Sequence, residues 1–232
     1  MPSVIEDLGE LANPKKAKVL SGFFKTGKGQ YGEGDIFLGI SVPKIRKLVK
    51  KYKKLSLMEI EKLLMNLIHE HRLAALLILV EKYKYGTVIE RKEIFDFYIK
   101  NLKKINNWDL VDSSAERIVG EYLYIYSNEK TLYNLARSDN LWERRIAIIA
   151  TYAFIKKGKF NDTLAIAETL LSDKQDLIHK AVGWMLREMG KRGGMKELEG
   201  FLMKYHKTMP RTMLRYAIEK FSKEKREFYM RR

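Results

Sequence analysis

The chain has 232 residues, of which 46% are hydrophobic and 11% aromatic, enough to fill a continuous core. It has no cysteine, which excludes disulfides, thiolate catalysis and zinc sites built on cysteine, and its four histidines are too scattered for an all-histidine metal cage. Heat-adapted proteins also have highly charged surfaces, but these are usually more balanced in sign, so the formal net charge of +16 favours a polyanionic partner.

Nucleic acid is the leading polyanion. A membrane surface competes, but no uninterrupted apolar run reaches the roughly 18 residues of a membrane span, and no basic segment followed by an apolar one opens the chain. We therefore expect a cytoplasmic, nucleoid-associated monomer with no membrane partner, no metal and no cofactor. The four prolines and the alternation of apolar residues with Lys, Glu and Arg favour helices, so the predicted fold class is all-α.

The first sixty residues differ from the rest of the chain. The pattern predicts a helix through Lys25, a glycine-rich loop over residues 26–35, and a second helix that starts at Ser41-Val42-Pro43. The loop lacks the Gly-Lys-Ser/Thr ending of a P-loop, and no strand and helix of nucleotide-binding type follow it. It fits either a loop near a nucleic-acid strand or a long surface connection.

Five later segments share one form, in which a short polar loop precedes a helix with a charged residue near its start. They align on positions separated by 37, 36, 35 and 31 residues: Arg72, Asp109, Arg145, Lys180 and Arg211. This is a degenerate repeat of helix-pair length, and the apolar-periodic stretches Leu57–Leu67 and Thr163–Leu171 are predicted partner helices. We expect one helical-repeat domain over residues 1–232, with one row of helices lining a concave face.

Cations recur at one register of this repeat. Any single cation could simply be solvated, but Arg72, Arg145, Lys180 and Arg211 stand at equivalent positions. A solenoid turns such a periodic charge into a continuous stripe, which can follow a phosphate backbone. The sequence therefore predicts a basic concave face that binds DNA.

All three tryptophans fall inside the repeat segments. Trp142 is assigned to the core of its repeat. Trp108 stands four residues before Asp112, which puts an aromatic ring and a carboxylate on the same side of one helix. Trp184 shares a helix face with Lys180, and Arg187 lies about one turn further along.

A carboxylate on a surface that attracts phosphates needs an explanation. Asp112 could be a structural partner of Arg145 or a helix-start aspartate, and spacing alone supports this as well as a functional role. The functional alternative is a specific chemical role, the stabilisation of positive charge on a sugar. Cleavage of an N-glycosidic bond leaves positive charge on the sugar, which a fixed carboxylate beside C1′ and a nearby aromatic face both stabilise.

The segments that carry these residues resemble the AlkD-like DNA alkylation repair glycosylases. The resemblance runs from about Lys18 to Phe221, and its strings in this order are together highly specific: Asn107-Trp108-Asp109-Leu110-Val111-Asp112, Trp142-Glu143-Arg144-Arg145-Ile146-Ala147, Lys180-Ala181-Val182-Gly183-Trp184-Met185-Leu186-Arg187-Glu188, and the loop Tyr31-Gly32-Glu33-Gly34-Asp35-Ile36-Phe37-Leu38-Gly39-Ile40.

The resemblance implies a right-handed solenoid of HEAT-like antiparallel helix pairs that grips duplex DNA. It implies hydrolysis of the N-glycosidic bond of N3-alkyladenine and N7-alkylguanine. Asp112 then takes the place of the catalytic carboxylate, Trp108 and Trp184 face the deoxyribose, and Arg145 contacts a phosphate. Glycosylases generally extrude the target base into a pocket, whereas the resemblance implies a site that works without one.

The resemblance also ranks neighbouring residues. The W-x-x-R spacing selects Arg145 over Arg144, which stands beside it and is kept, with Arg187, among the predicted DNA-binding residues. Ser41 occupies the position where family members carry a glutamine that probes the opposite strand, so this chain departs from the family there. Tyr31, in the preceding loop, is a further predicted contact.

Two other functions remain open at this stage. A catalytically silent HEAT-like module could bind duplex or branched DNA, and an adaptor could bind acidic proteins. A backbone-binding module gains nothing from an anion on its DNA face, and an adaptor predicts neither the carboxylate nor the tryptophans. Retention of all three residues favours the enzyme.

Overall fold

In a computed structural model that describes residues 3–231, the chain is all-α, as predicted. No strand occurs among these residues, and the extended backbone contributes one isolated parallel bridge between Ile36 and Ile68. The chain divides into two compact units, Met1–Ser114 and Ala115–Arg232. The single repeat domain over residues 1–232 and its concave face stay predictions.

The first unit contains α1 to α7, with two short 3-10 turns at Lys50–Tyr52 and Leu102–Lys104. The helices are α1 (Val4–Glu10), α2 (Pro14–Phe23), α3 (Val42–Val49), α4 (Leu57–Leu64), α5 (His69–Tyr85), α6 (Val88–Lys100) and α7 (Trp108–Ala115). In the second unit a π-helical turn, Glu116–Gly120, is followed by α8 (Glu121–Tyr126), α9 (Lys130–Ala136), α10 (Leu141–Ala150), α11 (Tyr152–Ile155), α12 (Asn161–Thr169), α13 (Asp176–Lys191), α14 (Met195–Tyr205), α15 (Arg211–Ala217) and α16 (Lys223–Met230).

Local sequence signals explain where most of these helices begin. Capping boxes start α1, α4 and α6, and Pro43 stands at the second position of α3 after Ser41, as predicted. Each of the five aligned repeat segments begins a helix: α5, α7, α10, α13 and α15. Three predicted helices extend two or three residues beyond the observed ones. The predictions ended at Lys25, Leu67 and Leu171, whereas α2 ends at Phe23, α4 at Leu64 and α12 at Thr169.

The core of the first unit forms around α5. This helix is buried from His69 to Val80, charged residues included, and packs against α3, α4 and α6. A helix buried on all sides is a central core element and does not form part of a solvated face. The side chains at its start therefore have to satisfy one another inside the protein.

The core of the second unit forms around α13, which packs against α10, α14 and α15. Gly183 makes the closest approach, because a Cβ added there would lie 2.4 Å from the backbone oxygen of Met213 on α15. The two main chains are in direct contact at this point. Gly183 thereby fixes the separation of α13 and α15.

Candidate functional site

In the first unit, the predicted pair Trp108 and Asp112 lies on α7. The side chains are four residues apart on one helix, so both lie on the same side, and both residues are half-buried. The Trp108 ring stacks on Phe24 with centroids 5.1 Å apart and planes 8° from parallel. Phe23, which is 62% exposed, meets the Trp108 ring edge-on at 6.0 Å. Aromatic packing therefore fixes the orientation of the indole.

Beneath the start of α7 lies a buried polar network that the sequence did not predict. The imidazole of His69 is 1% exposed; its Nδ1 lies 3.1 Å from Asp35 Oδ2 and its Nε2 lies 2.8 Å from Asp109 Oδ2. Asn107 donates to Asp35 at 3.1 Å and accepts the backbone N–H of Trp108 at 2.8 Å. The network thus connects the end of the glycine-rich loop to the first turn of α7.

Arg72 completes this network, and it is an internal residue. Its guanidinium donates to Asp35 Oδ1 at 2.5 Å and to Asn106 Oδ1 at 2.6 Å, and the residue is only 5% exposed. A buried guanidinium that is already bound to a carboxylate has little left for a phosphate. We therefore correct the expectation for Arg72 and leave it out of the proposed DNA contacts.

The charges in this network shift the pKa values of Asp35 and His69 in opposite directions. Burial alone would raise the pKa of Asp35, but the hydrogen bond from His69 and the positive charge of Arg72 hold that pKa below its ordinary value. Burial alone would likewise lower the pKa of His69, but its hydrogen bonds to Asp109 and Asp35 outweigh burial and raise that pKa. Each ion favours the charged form of its neighbour.

The loop residues Tyr31 and Ser41 also belong to the first unit. The Tyr31 side chain is half-buried and its hydroxyl donates to the backbone oxygen of Phe23 at 3.4 Å, so it lies beside the aromatic cluster around Trp108. Ser41 is exposed just before α3 and lines a cavity of about 200 Å³ together with Lys16 and Lys44. Both positions are open to a ligand outside the core.

The second unit holds Trp184, which is half-buried on α13 directly after Gly183, and the remaining predicted cations. Arg145 is 5% exposed, as buried as Arg72, and donates to the backbone oxygen of Leu177 in the first turn of α13, so its contact with a phosphate stays a prediction that rests on the family resemblance alone. Arg144 donates to Asp173 at 2.6 Å and to the backbone oxygens of Ser138 and Asp139, both at 2.9 Å. Arg144 thus has an internal bonding role, and we also leave it out of the proposed DNA contacts.

The other cations of this unit are more accessible. The Lys180 side chain is 41% exposed and pairs with Asp176 one turn earlier at 2.7 Å. The Arg187 side chain is 19% exposed and pairs with the exposed Glu219 and, at 3.4 Å, with the buried Glu188, and Arg211 is half-buried and donates to the backbone oxygen of Met230 at 3.0 Å. An exposed ion pair is weak in water, so a phosphate can compete for its cation.

A model of one protein family, described as DNA alkylation repair enzyme, matches residues 4–221. The chain belongs to this DNA alkylation repair family. Membership indicates an enzyme of DNA repair that deals with alkylation damage. A solved structure described as a predicted DNA alkylation repair enzyme from Enterococcus faecalis is similar to the chain, with a TM-score of 0.70, 18% identity, and coverage of 91% of this chain and 97% of that one. At 18% identity this similarity shows the fold alone. No curated protein matches the chain.

Two further properties of the described residues concern membrane insertion and metal binding. Over residues 3–231, no helix combines the length and the apolar character needed to cross a bilayer. In the same residues, no three His, Asp or Glu side chains are grouped so that they could hold a metal ion.

Sequence reasoning missed His69, Asp35 and Asp109 as a group. The partners of His69 are 34 and 40 residues away along the chain, so no local spacing pattern links them. One signal was present: His69-Glu70-His71-Arg72 runs directly into a wholly apolar stretch, Leu73–Val80. Four polar residues at the start of a buried helix indicate an internal polar network.

Proposed function

We propose that the protein is a DNA glycosylase that hydrolyses the N-glycosidic bond of cationic alkylated bases, N3-alkyladenine and N7-alkylguanine, in duplex DNA. The observation that carries the proposal is the pair on α7, with Asp112 one turn beyond a Trp108 ring that stacks on Phe24 at 5.1 Å. A rigid aromatic face and a carboxylate on one side of a helix suit a deoxyribose that develops positive charge.

The chemistry requires little else from the protein. Alkylation at N3 of adenine or N7 of guanine makes the base a cation, so the base departs as a neutral molecule and needs no general acid. The positive charge moves to the sugar as the bond breaks, where the Asp112 carboxylate stabilises it and orients the attacking water, which releases a proton to solvent as its oxygen bonds to C1′. Because the interaction strengthens as that charge develops, it accelerates the bond cleavage itself.

The proposal needs no pocket for an extruded base. Neither Trp108 nor Asp112 lines the cavity of about 200 Å³ beside Ser41, and a cavity of about 610 Å³ in the second unit is lined by other residues than Trp184. We propose Trp184, in the second unit, as a further aromatic residue that contacts the deoxyribose. The proposed DNA contacts outside the reacting sugar are Arg145, Lys180, Arg187, Arg211, Tyr31 and Ser41.

The test is release of free methylated base from methylated duplex DNA by the purified protein in single turnover. Asp112→Asn keeps the shape and removes the charge, so release should fall on the order of 10²-fold or more. Asp96→Asn is the matched control, because Asp96 is an exposed carboxylate of the same unit that pairs only with Lys92 on its own helix. This control should release base at the wild-type rate.

Two further measurements on Asp112→Asn separate the alternatives. Affinity for undamaged duplex should stay constant or rise, because the change removes an anion from a surface that faces phosphates. A structural role for Asp112 would instead lower the thermal midpoint, the affinity and the release rate together. Duplex binding by the wild type without any base release would reject the glycosylase in favour of a silent DNA-binding module.

A further inference from the structure

His69 is held in a way that requires its ring to carry two protons. Both ring nitrogens face carboxylate oxygens, at 3.1 Å from Asp35 and at 2.8 Å from Asp109. A neutral imidazole has one N–H and one lone pair, so one of these contacts would set a lone pair against a carboxylate. Only the imidazolium donates to both. The other donor near the ring is Arg72 Nη2, but it lies 3.5 Å from Nδ1, a long distance for a hydrogen bond, and already donates to Asp35 Oδ1 at 2.5 Å.

The charges that face His69 lead to the same result. Asp35 faces it from the glycine-rich loop, Asp109 from α7, and Arg72 from its own helix at 3.5 Å. With a charged His69 the two carboxylates and two cations are balanced, whereas a neutral ring leaves a buried excess of one negative charge. The neighbouring Glu70 is turned away and accepts backbone N–H groups of Leu38, Gly39 and Ile40.

His69 reaches the proposed reacting residues by two routes. The first is its hydrogen bond to Asp109, the residue after Trp108 and three before Asp112 on α7. The second is aromatic packing, since the imidazole lies 5.1 Å from the ring of Phe24, which itself stacks on Trp108 at 5.1 Å. A change in the charge of His69 therefore acts on the backbone that carries Trp108 and on the ring that supports it.

We propose that His69 is a positioning residue for base release: as an imidazolium that bridges Asp35 and Asp109, it fixes the first turn of α7 and so orients Trp108 and Asp112. The inference rests on the proposed function. It makes base release depend on the protonation of a residue that does not touch the substrate.

The sign of the pH dependence follows from the direction of the pKa shift. The folded pKa of His69 is raised, so the bridge is complete at low pH and is lost as the pH rises through that raised pKa. Base release, corrected for spontaneous loss of the base, should therefore fall on the alkaline side. His69→Gln should release base on the order of 10- to 100-fold more slowly and should lack this alkaline decrease.

His206→Gln is the matched control. His206 is also a buried histidine, but it lies in the second unit and its Nδ1 bonds only to the backbone oxygen of Leu202, at 2.8 Å. This variant should keep the wild-type pH profile. A purely structural role for His69 would lower stability and rate without changing the shape of the profile, so an alkaline decrease that persists in His69→Gln would overturn the proposal.

A second measurement needs neither base release nor a stable His69 variant. Nitrogen NMR of labelled wild-type protein reports the protonation of its four histidines, and the His69 signals are those that remain when the other three are each replaced by glutamine. They should show a ring that is still doubly protonated at pH values above the ordinary pKa of 6.5, and the indole N–H signal of Trp108 should shift with the same midpoint. A His69 that titrates at or below 6.5 would overturn the inference. If the wild type releases no base, the proposed function fails, but the NMR measurement still decides whether His69 is an imidazolium that affects Trp108.

Discussion

Replacing Glu70 by glutamine tests how the segment before α3 is held in place. The Glu70 carboxylate is 2% exposed and accepts backbone N–H groups from Leu38 at 2.9 Å, Gly39 at 2.8 Å and Ile40 at 3.2 Å. Glutamine has nearly the same shape but only one acceptor oxygen. Its amide NH₂ must therefore face at least one backbone N–H, which pairs donor with donor.

The cost follows from these three bonds. If the amide oxygen takes the place of Oε1, the bonds to Gly39 and Ile40 survive without charge assistance and the bond to Leu38 is lost. A hydrogen bond to a charged group contributes about 1.5–3 kcal/mol and a neutral one about 1 kcal/mol, so one lost and two weakened bonds should lower the free energy of unfolding by about 2.5 kcal/mol or more. For a chain of this length that corresponds to a decrease in Tm of roughly 10 °C.

The measurement is urea unfolding followed by circular dichroism, with Glu90→Gln as control. Glu90 closes the capping box at the start of α6 and is exposed, and glutamine serves that role as well as glutamate does. The control should unfold like the wild type. A loss below about 1 kcal/mol for Glu70→Gln, or a loss equal to that of the control, would refute the argument that the carboxylate holds this segment.

Three other perturbations test separate parts of the structure. Gly183→Ala should lower the free energy of unfolding by about 1–3 kcal/mol in urea, because the new Cβ would lie 2.4 Å from the backbone oxygen of Met213, whereas Gly200→Ala, with nothing within 4 Å, should not be destabilised. Arg145→Ala should reduce the slope of log affinity for duplex DNA against log salt by about one, and an unchanged slope would mean that Arg145 does not contact phosphate. Asp35 has a lowered folded pKa, so it stabilises the fold above its ordinary pKa of 3.8 and loses that effect as the pH falls through the lowered value. The Tm advantage of the wild type over Asp35→Asn should therefore shrink in acid, and a gap that is constant with pH would contradict this.

The helical architecture was predictable because its signals are local. Ser56 and Glu59, for example, form the capping box of α4 from residues three apart, and the periodic stretch that begins at Leu57 follows it directly. The same holds for Trp108 and Asp112, whose shared face depends only on helical periodicity. Features that are encoded within one or two helical turns can be inferred without the fold.

The polar interior was not predictable in this way. Arg72 stands at the register of the other repeat cations, but register does not specify whether a helix face is turned to solvent or to the core. That depends on which elements cover α5, and the bond from Arg72 to Asp35 spans 37 residues. Long-range partners of this kind follow from the packing of the whole unit, so Arg72 was assigned to phosphate when it belongs to a buried network.

The contact at Gly183 bears on how this protein can change over evolutionary time. At an ordinary helix interface the side chains of two helices must change in compensating pairs, whereas the atoms of the main chain are the same whatever the sequence. The separation of α13 and α15 depends on a main-chain contact, with a Cβ at position 183 excluded by the oxygen of Met213. Mutation can therefore alter the exposed side chains of α15 while Trp184, the residue after Gly183, keeps its place on α13, whereas the buried Met213, Leu214 and Ala217 remain constrained by the core.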